Sequence, residues 1–254
     1  MTKLSVVLIT KNEEDNIRRC LDSVRFADEI IVVDSGSTDK TVAIAESYQA
    51  KIFCPEWRGF GPAKQAGVEK ASGDWILSID ADEEVTPELA SEIKSKIEND
   101  NGTCGYYFKR KTKFLGKWIL HCGWYPDYVL RLFQKQKGRF DNAIVHEKVV
   151  TDGPVAYLNS ELLHYSYPNL EHYLNKFNRY TTMGAEEAFR KGRKARLSDI
   201  VIRPAASFVK HYLLKQGFRD GPEGFVLSFL SSMSVMVKYA KLRLLWKENR
   251  LRKN

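Results

Sequence analysis

The feature that most constrains this chain is an alternation that runs through its first hundred residues. Short β-branched runs, "KLSVVLIT" (3–10), "EIIVV" (29–33), "AKIFCP" (50–55) and "WILSID" (75–80), are separated by segments with apolar residues at helical spacing, such as Ile17, Leu21 and Val24. Parallel strands cannot be joined by a tight turn and need a crossover helix. The alternation therefore predicts an α/β fold with a mainly parallel central sheet wrapped by helices. Thr86 and Pro87 read as the N-cap and first position of the helix after the fourth strand. The helix after the second strand is expected to be capped near Ser37 or Thr38.

Beyond residue 102 the pattern changes. "CGYYFKRKTKFLGKWI" alternates and is aromatic-rich, which predicts an antiparallel strand. "YVLRLFQKQKGRFD" reads as a strand and turn, and "HEKVV" as another strand. From Asn169 the periodicity is helical, through "LEHYLNKFNRYTTMGAEEAFRKG" and "RPAASFVKHYLLKQ". After the Gly-rich "GFRDGPEG" it continues in the last segment, which begins at Phe225.

At 254 residues with 43% hydrophobic content, the chain can bury a sizeable core, and disorder is excluded. The four cysteines form no Cys-x-x-Cys pair, so a zinc framework is not expected and reduced thiols in the cytoplasm are. The apolar run Leu4–Ile9 is too short for a signal peptide. Charge is unevenly placed: residues 190–254 carry 16 Lys and Arg against 4 Asp and Glu, while residues 1–189 carry 24 against 28. A basic tail on a slightly acidic front points to a polyanionic partner.

Three strands end in polar clusters, Thr10–Glu14, Asp34–Asp39 and Asp80–Glu84. Ligands of open α/β sheets bind at the carboxyl ends of the strands, so these clusters should share one rim. Several acids on one rim repel unless a cation joins them, and a divalent metal carrying a phosphate ligand would do so. Each cluster also has a plain structural use. Asp34-Ser-Gly-Ser-Thr-Asp can be a turn and cap, and Asp82–Glu84 an acid patch at a helix N-terminus.

The blocks "VVLITKNEEDNIRRCLDSV", "IIVVDSGSTDKTVAIA" and "AKQAGVEKASGDWILSIDADEEV", in that order, resemble the N-terminal half of family 2 glycosyltransferases of the GT-A fold. Asp80-Ala81-Asp82 resembles that family's Asp-x-Asp signature, which implies a divalent cofactor, Mg²⁺ or Mn²⁺, on a nucleotide-sugar diphosphate. By this resemblance Thr10, Asn12 and Glu14 flank the nucleotide and Asp34 meets the uracil or ribose. Lys64 and Gln65 lie near the sugar-diphosphate, Asp82 binds metal, and Asp80 reaches the ribose or a bound water. "WYPDYVLRLFQKQKGRF", "VHEKV" and "LLHYSYPNLEHYLNKFNRY" resemble the subgroup that uses a UDP-hexose to add β-linked glucose to the inner-core heptose of lipopolysaccharide. Many members of the family carry the general base in a Glu-Asp or Asp-containing motif; no Glu-Asp pair sits in the expected region here, and Val145-His146-Glu147 occupies that place.

An inverting transferase needs a carboxylate to take the acceptor proton. Glu147 is the candidate and Asp127 its rival, with an exposed strand carboxylate the plain alternative for Glu147. His164 is a candidate later metal ligand or diphosphate contact, and Arg131 a diphosphate contact; each can equally be structural. Trp124 and Tyr125, with Trp118 and Tyr128, form either a sugar-stacking acceptor wall or ordinary packing, and His146 is assigned to the acceptor side on the same terms. A nucleotidyltransferase would carry a Gly-rich loop after the first strand, and "ITKNEED" has no glycine. A non-enzymatic membrane-binding protein would leave the rim acids unexplained.

The expected organisation is a GT-A catalytic domain over residues 1–168, divided into a nucleotide-sugar part (1–102) and an acceptor part (103–168). A basic helical extension follows over 169–254. In its last segment Tyr239, Leu242, Leu245 and Trp246 alternate with Lys238, Lys241, Arg243 and Lys247. This reads as a helix lying on an anionic membrane surface, with packing in a homodimer the competing use. Phe225–Val237 is too short an apolar run to span a bilayer. Expected partners are a UDP-sugar donor, a glycolipid acceptor such as lipopolysaccharide core, and the inner face of the cytoplasmic membrane, with no nucleic acid.

Overall fold

The computed structural model describes residues 2–99, 102–141 and 147–251. The chain divides into two compact units, Met1–Lys111 with Pro126–Ser166, and Thr112–Tyr125 with Tyr167–Asn254.

In the first unit β1 (Leu4–Thr10), β2 (Glu29–Asp34), β3 (Lys51–Phe53) and β4 (Trp75–Asp80) lie parallel in the order β3-β2-β1-β4. The crossovers are α1 (Ile17–Ser23), α2 (Thr41–Ser47) and α3 (Phe60–Lys70). All seven residues of β1 are buried, as a central parallel strand covered on both faces requires. Its two-residue period divides them. Leu4, Val6 and Leu8 pack with Ile17 and Leu21 of α1, whereas Val7 and Ile9 pack with Ala63 and Val68 of α3. The close approach of α3 depends on Gly67, where a Cβ would stand 2.5 Å from Val7 Cγ1.

The sheet continues as an antiparallel half built from the later strands. These are β5 (Glu83–Val85), β6 (Gly105–Phe114), β8 (Asp127–Gln134) and β11 (Val155–Tyr167), in the order β4-β8-β6-β11-β5. The helix α4 (Pro87–Glu98) follows β5, and Thr86 caps it through Oγ1, which accepts from Leu89 N at 3.2 Å. β9 (Gly138–Phe140) and β10 (Val149–Thr151) form a separate ribbon. The expected α/β class therefore holds, with parallel strands from residues 1–80 and antiparallel strands from the region after 102. β11 receives no element in the sequence reading, because its alternation is broken by adjacent apolar and aromatic residues.

One local expectation is overturned. α2 begins at Thr41 rather than near Ser37, and its N-cap Lys40 makes no side-chain cap. Ser37 Oγ instead accepts from Asn12 N in the loop after β1, and the start of the helix is met by Asp39, whose Oδ1 accepts from Thr41 N at 3.0 Å.

The second unit holds α5 (Leu170–Arg190), α6 (Leu197–Val209) and α7 (Gly221–Leu251), with β7 (Lys117–Trp118) in the 112–125 segment. Pro204 lies inside α6, which widens into a π turn at Lys210–Leu214 before a 3₁₀ turn at Gly217–Asp220. The buried positions of α7, among them Leu227, Ser228, Ser232, Tyr239 and Leu242, lie one, three, four or seven residues apart, the spacing of one helix side. The reading of Tyr239, Leu242, Leu245 and Trp246 as a lipid-facing stripe is corrected here. They form a small core with Ala185, and Trp246 Nε1 donates to Arg193 O at 2.7 Å. Lys241, half-buried, also turns to α5, its Nζ donating to Asn178 Oδ1 at 2.7 Å and Thr182 Oγ1 at 2.7 Å.

Candidate active site

The register of β1 with its neighbours brings the three strand ends together. Thr10 pairs with Asp34, and Ile9 with Asp80. Thr10 and Asp34 are buried, and Thr10 Oγ1 has no hydrogen-bond partner among the described residues. A buried hydroxyl without a partner is costly, and a nucleotide at this rim would satisfy it. Asp34 Oδ2 accepts from Gly36 N and Ser37 N, both at 2.9 Å, which builds the turn; Gly36 sits at φ +88°, where glycine is favoured. Asn12, itself left-handed at φ +53°, ties the two loops: its N donates to Ser37 Oγ at 2.9 Å and its Oδ1 accepts from Thr38 N at 2.8 Å. Glu14 does the same with its neighbour loop, its Oε2 accepting from Lys40 N at 3.1 Å.

Beside this rim runs an alternating chain of charges. Lys64, on α3 and only 2% exposed, places Nζ 2.7 Å from Glu147 Oε1 and 2.8 Å from Asp80 Oδ1. Arg131, on β8, bonds Asp80 Oδ2 and reaches Glu83 Oε1 at 2.7 Å. Arg110, on β6, lies 3.3 Å from Glu83 Oε1 and grips Asp127 Oδ2 with Nε at 2.9 Å and Nη2 at 2.6 Å. The order is Glu147, Lys64, Asp80, Arg131, Glu83, Arg110, Asp127, with both candidate bases at its ends. Burial would raise the Asp80 carboxyl, but Arg131 and Lys64 outweigh it and hold it well below the usual carboxylate range. Burial likewise opposes the Arg110 charge, and Glu83 and Asp127 overcome it.

The pairing of β5 with β11 sets Glu83 opposite His164, and Tyr165 N donates to Asp82 O at 2.8 Å. That register leaves His164 Nε2 3.3 Å from Asp82 Oδ2, both side chains largely buried. Tyr165 OH donates to Glu84 Oε2 at 2.7 Å, and the Arg19 guanidinium stacks 3.5 Å from the Tyr165 ring centroid. Burial and Glu84 push the Tyr165 hydroxyl up to about 12.

A carboxylate and an imidazole meeting at one point suit Mg²⁺ or Mn²⁺, provided phosphate oxygens and water complete the shell. Among the described residues no group of three His, Cys, Asp or Glu forms a metal site. Asp82 and His164 therefore fit the role as a two-donor site that needs the ligand's diphosphate. Asp80 has one oxygen on Lys64 and the other on Arg131, so it does not compete for that role in this arrangement.

Other site residues fall elsewhere. Gln65 Oε1 accepts from Phe140 N at 2.9 Å, which anchors β9. Tyr128 belongs to the first unit, packed edge-on to Tyr157, whereas Trp118, Trp124 and Tyr125 belong to the second. Trp124 packs against Phe114 and Tyr167 there. His146 lies outside the described residues. Glu83 and Arg110 were missed as members of the charge chain. Glu83 is fully buried, yet in sequence it is one acid among several, and Arg110 sits in an alternating strand where a cation reads as solvent-facing.

A parallel β1-β2-β4 rim carrying a carboxylate–imidazole pair and a chain of ion-paired acids defines a ligand-binding α/β enzyme. The glycosyl transferase family 2 profile matches residues 5–152, and the chain belongs to that family. It is 32% identical to an uncharacterized glycosyltransferase of Rickettsia typhi, over 96% of this chain and 87% of that protein. It is 29% identical to the lipopolysaccharide core biosynthesis glycosyltransferase LpsC of Rhizobium meliloti, over 94% of this chain and 91% of that protein. Among solved structures, glucosyl-3-phosphoglycerate synthase from Mycobacterium tuberculosis, with Mn²⁺, UDP and glucosyl-3-phosphoglycerate, is 24% identical. That likeness covers 53% of this chain and 57% of that chain, with a TM-score of 0.42.

Proposed function

We propose that this glycosyltransferase is an inverting hexosyltransferase. It moves glucose from UDP-glucose to the inner core of lipopolysaccharide, or to a similar glycolipid, with a β-linkage. The observation that carries the reading is the Asp82–His164 pair beside the Lys64-bridged Asp80 and Glu147. The likeness to LpsC across most of both chains supports the acceptor class.

Thr10 and Asp34 face the nucleoside, and Asp82 and His164 are the residues that would hold a divalent metal. When bound, that metal would neutralise the diphosphate of the leaving UDP. Glu147 takes the proton of the acceptor hydroxyl as its oxygen bonds to the anomeric carbon and the bond to UDP breaks. Lys64 fixes the Glu147 carboxylate and supplies positive charge at the same point. Asp127, clamped by Arg110, is the rival base. Residues 1–168 are assigned the catalysis, and residues 169–254 an anionic membrane surface on the cytoplasmic side.

The test is transfer from a panel of UDP-, GDP- and ADP-sugars to lipopolysaccharide truncated at the inner-core heptose, with Mn²⁺ or Mg²⁺ present. UDP-glucose should give the β-linked product. Turnover with another nucleotide-sugar or on a different lipid-linked acceptor would replace the donor or acceptor assignment, and retention of the anomeric configuration would overturn the mechanism.

A further inference from the structure

We propose that the second unit binds an anionic lipid bilayer through α6 and the aromatic turn that follows it, not through the C-terminal half of α7. Along α6 only Pro204 is buried, while Leu197, Val201 and Ile202 are 66%, 60% and 65% exposed. At 100° per residue, positions 197, 201, 202, 205 and 209 fall within an arc of about 140°, one apolar side of the helix.

That side continues past the π turn, where Leu213 and Leu214 are exposed, Leu214 at 73%. It then joins a group of rings. Phe208 stacks on Tyr212 at 5.3 Å, both meet Phe225 edge-on, and Phe218 and Phe229 extend the group with about half their surface exposed. The exposed apolar side chains of this face present on the order of 1,000 Å², against the few hundred that a soluble monomer leaves in one patch.

Charge names the occupant. Residues 190–229 hold nine Lys and Arg and three acids, Asp199, Asp220 and Glu223. Asp220 accepts from His121 N at 2.8 Å and Glu223 lies 3.6 Å from Lys117 Nζ. Asp199 is engaged by Arg203 Nε and by Arg196 N. Cations on the polar side of an apolar helical face complement an anionic bilayer. A second copy of the chain would set two equally basic faces against each other, which is repulsive.

The helix Gly217–Leu251 is long and apolar enough to cross a membrane by length and composition, with mean hydropathy 1.3 over its best window, of which 28% is buried. Yet Arg203 interrupts α6, and Lys238 and Lys241 interrupt α7, so neither offers about 20 uninterrupted apolar residues. The geometry is that of a helix lying in the plane of the interface. The lipid class rests on the glycolipid-acceptor reading above, whereas the position of the face does not.

The test is co-sedimentation of the full chain with vesicles of phosphatidylethanolamine and phosphatidylglycerol, and with pure phosphatidylcholine. The wild-type chain should pellet with the anionic vesicles and be partly released by salt. Ile202→Asp with Leu214→Asp should weaken that partition at least about tenfold, since both side chains are surface-exposed and each must carry a charge into the interface. Tyr157→Asp, at an exposed aromatic in the first unit, should not. Circular dichroism and Tm of the double variant should match wild type, and so should transfer to an acceptor freed of its lipid. Vesicle binding by Asp82→Ala should be unchanged, so a failure of the catalytic reading leaves this result standing. Equal binding by the double variant, no binding by wild type, or loss of a dimer in place of loss of vesicle binding would each overturn the proposal.

Discussion

The Lys64 ammonium lies 2.7 Å from Glu147 and 2.8 Å from Asp80, joining residues 83 and 16 positions away in the chain at one buried nitrogen. One carboxylate ends β4, the other stands just before β10, and α3 brings the cation between them. This makes the candidate base part of the donor-side rim and separates it from Asp127, which ends the same charge chain beyond Arg110.

Lys64→Met removes the cation and leaves two carboxylates facing one another. Transfer rate should fall about 10²- to 10³-fold. Beside it, Glu147→Gln should lower kcat about 10²- to 10⁴-fold and Asp127→Asn less than about tenfold. Single-turnover assays at saturating donor measure this, and the reverse ranking would make Asp127 the base.

Asp82→Ala should reduce kcat/KM by at least about 10²-fold while shifting Tm little, because the pair it leaves with His164 is at the site and not in the core. UDP with Mn²⁺ should raise the Tm of wild type and not that of this variant. An unchanged ligand-induced shift would remove Asp82 from the metal site.

Glu83→Gln acts on stability. This carboxylate is fully buried between Arg131 and Arg110, and its Oε2 accepts from Asp80 N at 2.9 Å. Breaking a buried network of this kind costs about 3–5 kcal/mol, readable in urea denaturation. Glu84→Gln, partly exposed, should cost less than about 1 kcal/mol.

Acid sensitivity should show at Glu29. Burial alone would raise its carboxyl, but Lys51, Ser5 Oγ and Ser72 N bring it from 4.5 down to about 2. A carboxylate with a depressed folded pKa contributes stability above its unfolded pKa and loses it as pH falls through the folded one. The contribution, about 2–3 kcal/mol, should therefore be full above pH 5 and vanish between about pH 4.5 and 2. Stability of wild type minus Glu29→Gln, followed across that window, measures it.

Much of the first unit was legible because period and punctuation are local. The strands β1, β2 and β4, the Thr86–Pro87 start of α4, and the convergence of Thr10, Asp34 and Asp80 all follow from chain-neighbour chemistry and the rule for parallel sheets. β11 was not legible, and its register with β5 is what sets His164 against Asp82. Glu83 was hidden for a related reason: whether an acid is solvated or buried between two arginines depends on strands β6 and β8, far along the chain.

The tail divides the same way. Its helices and its positive charge could be read from residues 169–254 directly. Which side of each helix is covered could not, because apolar residues at helical spacing fit an internal core and a bilayer equally well. Tyr239, Leu242 and Trp246 are packed inside, and Leu197, Ile202 and Leu214 remain outside. The sequence by itself determined the α/β alternation, the acidic rim and the basic tail, since each rests on local periodicity or composition. Only the tertiary structure decided which acids are paired, which histidine joins Asp82 and which apolar face stays exposed, since each depends on pairing between segments that are distant in the chain.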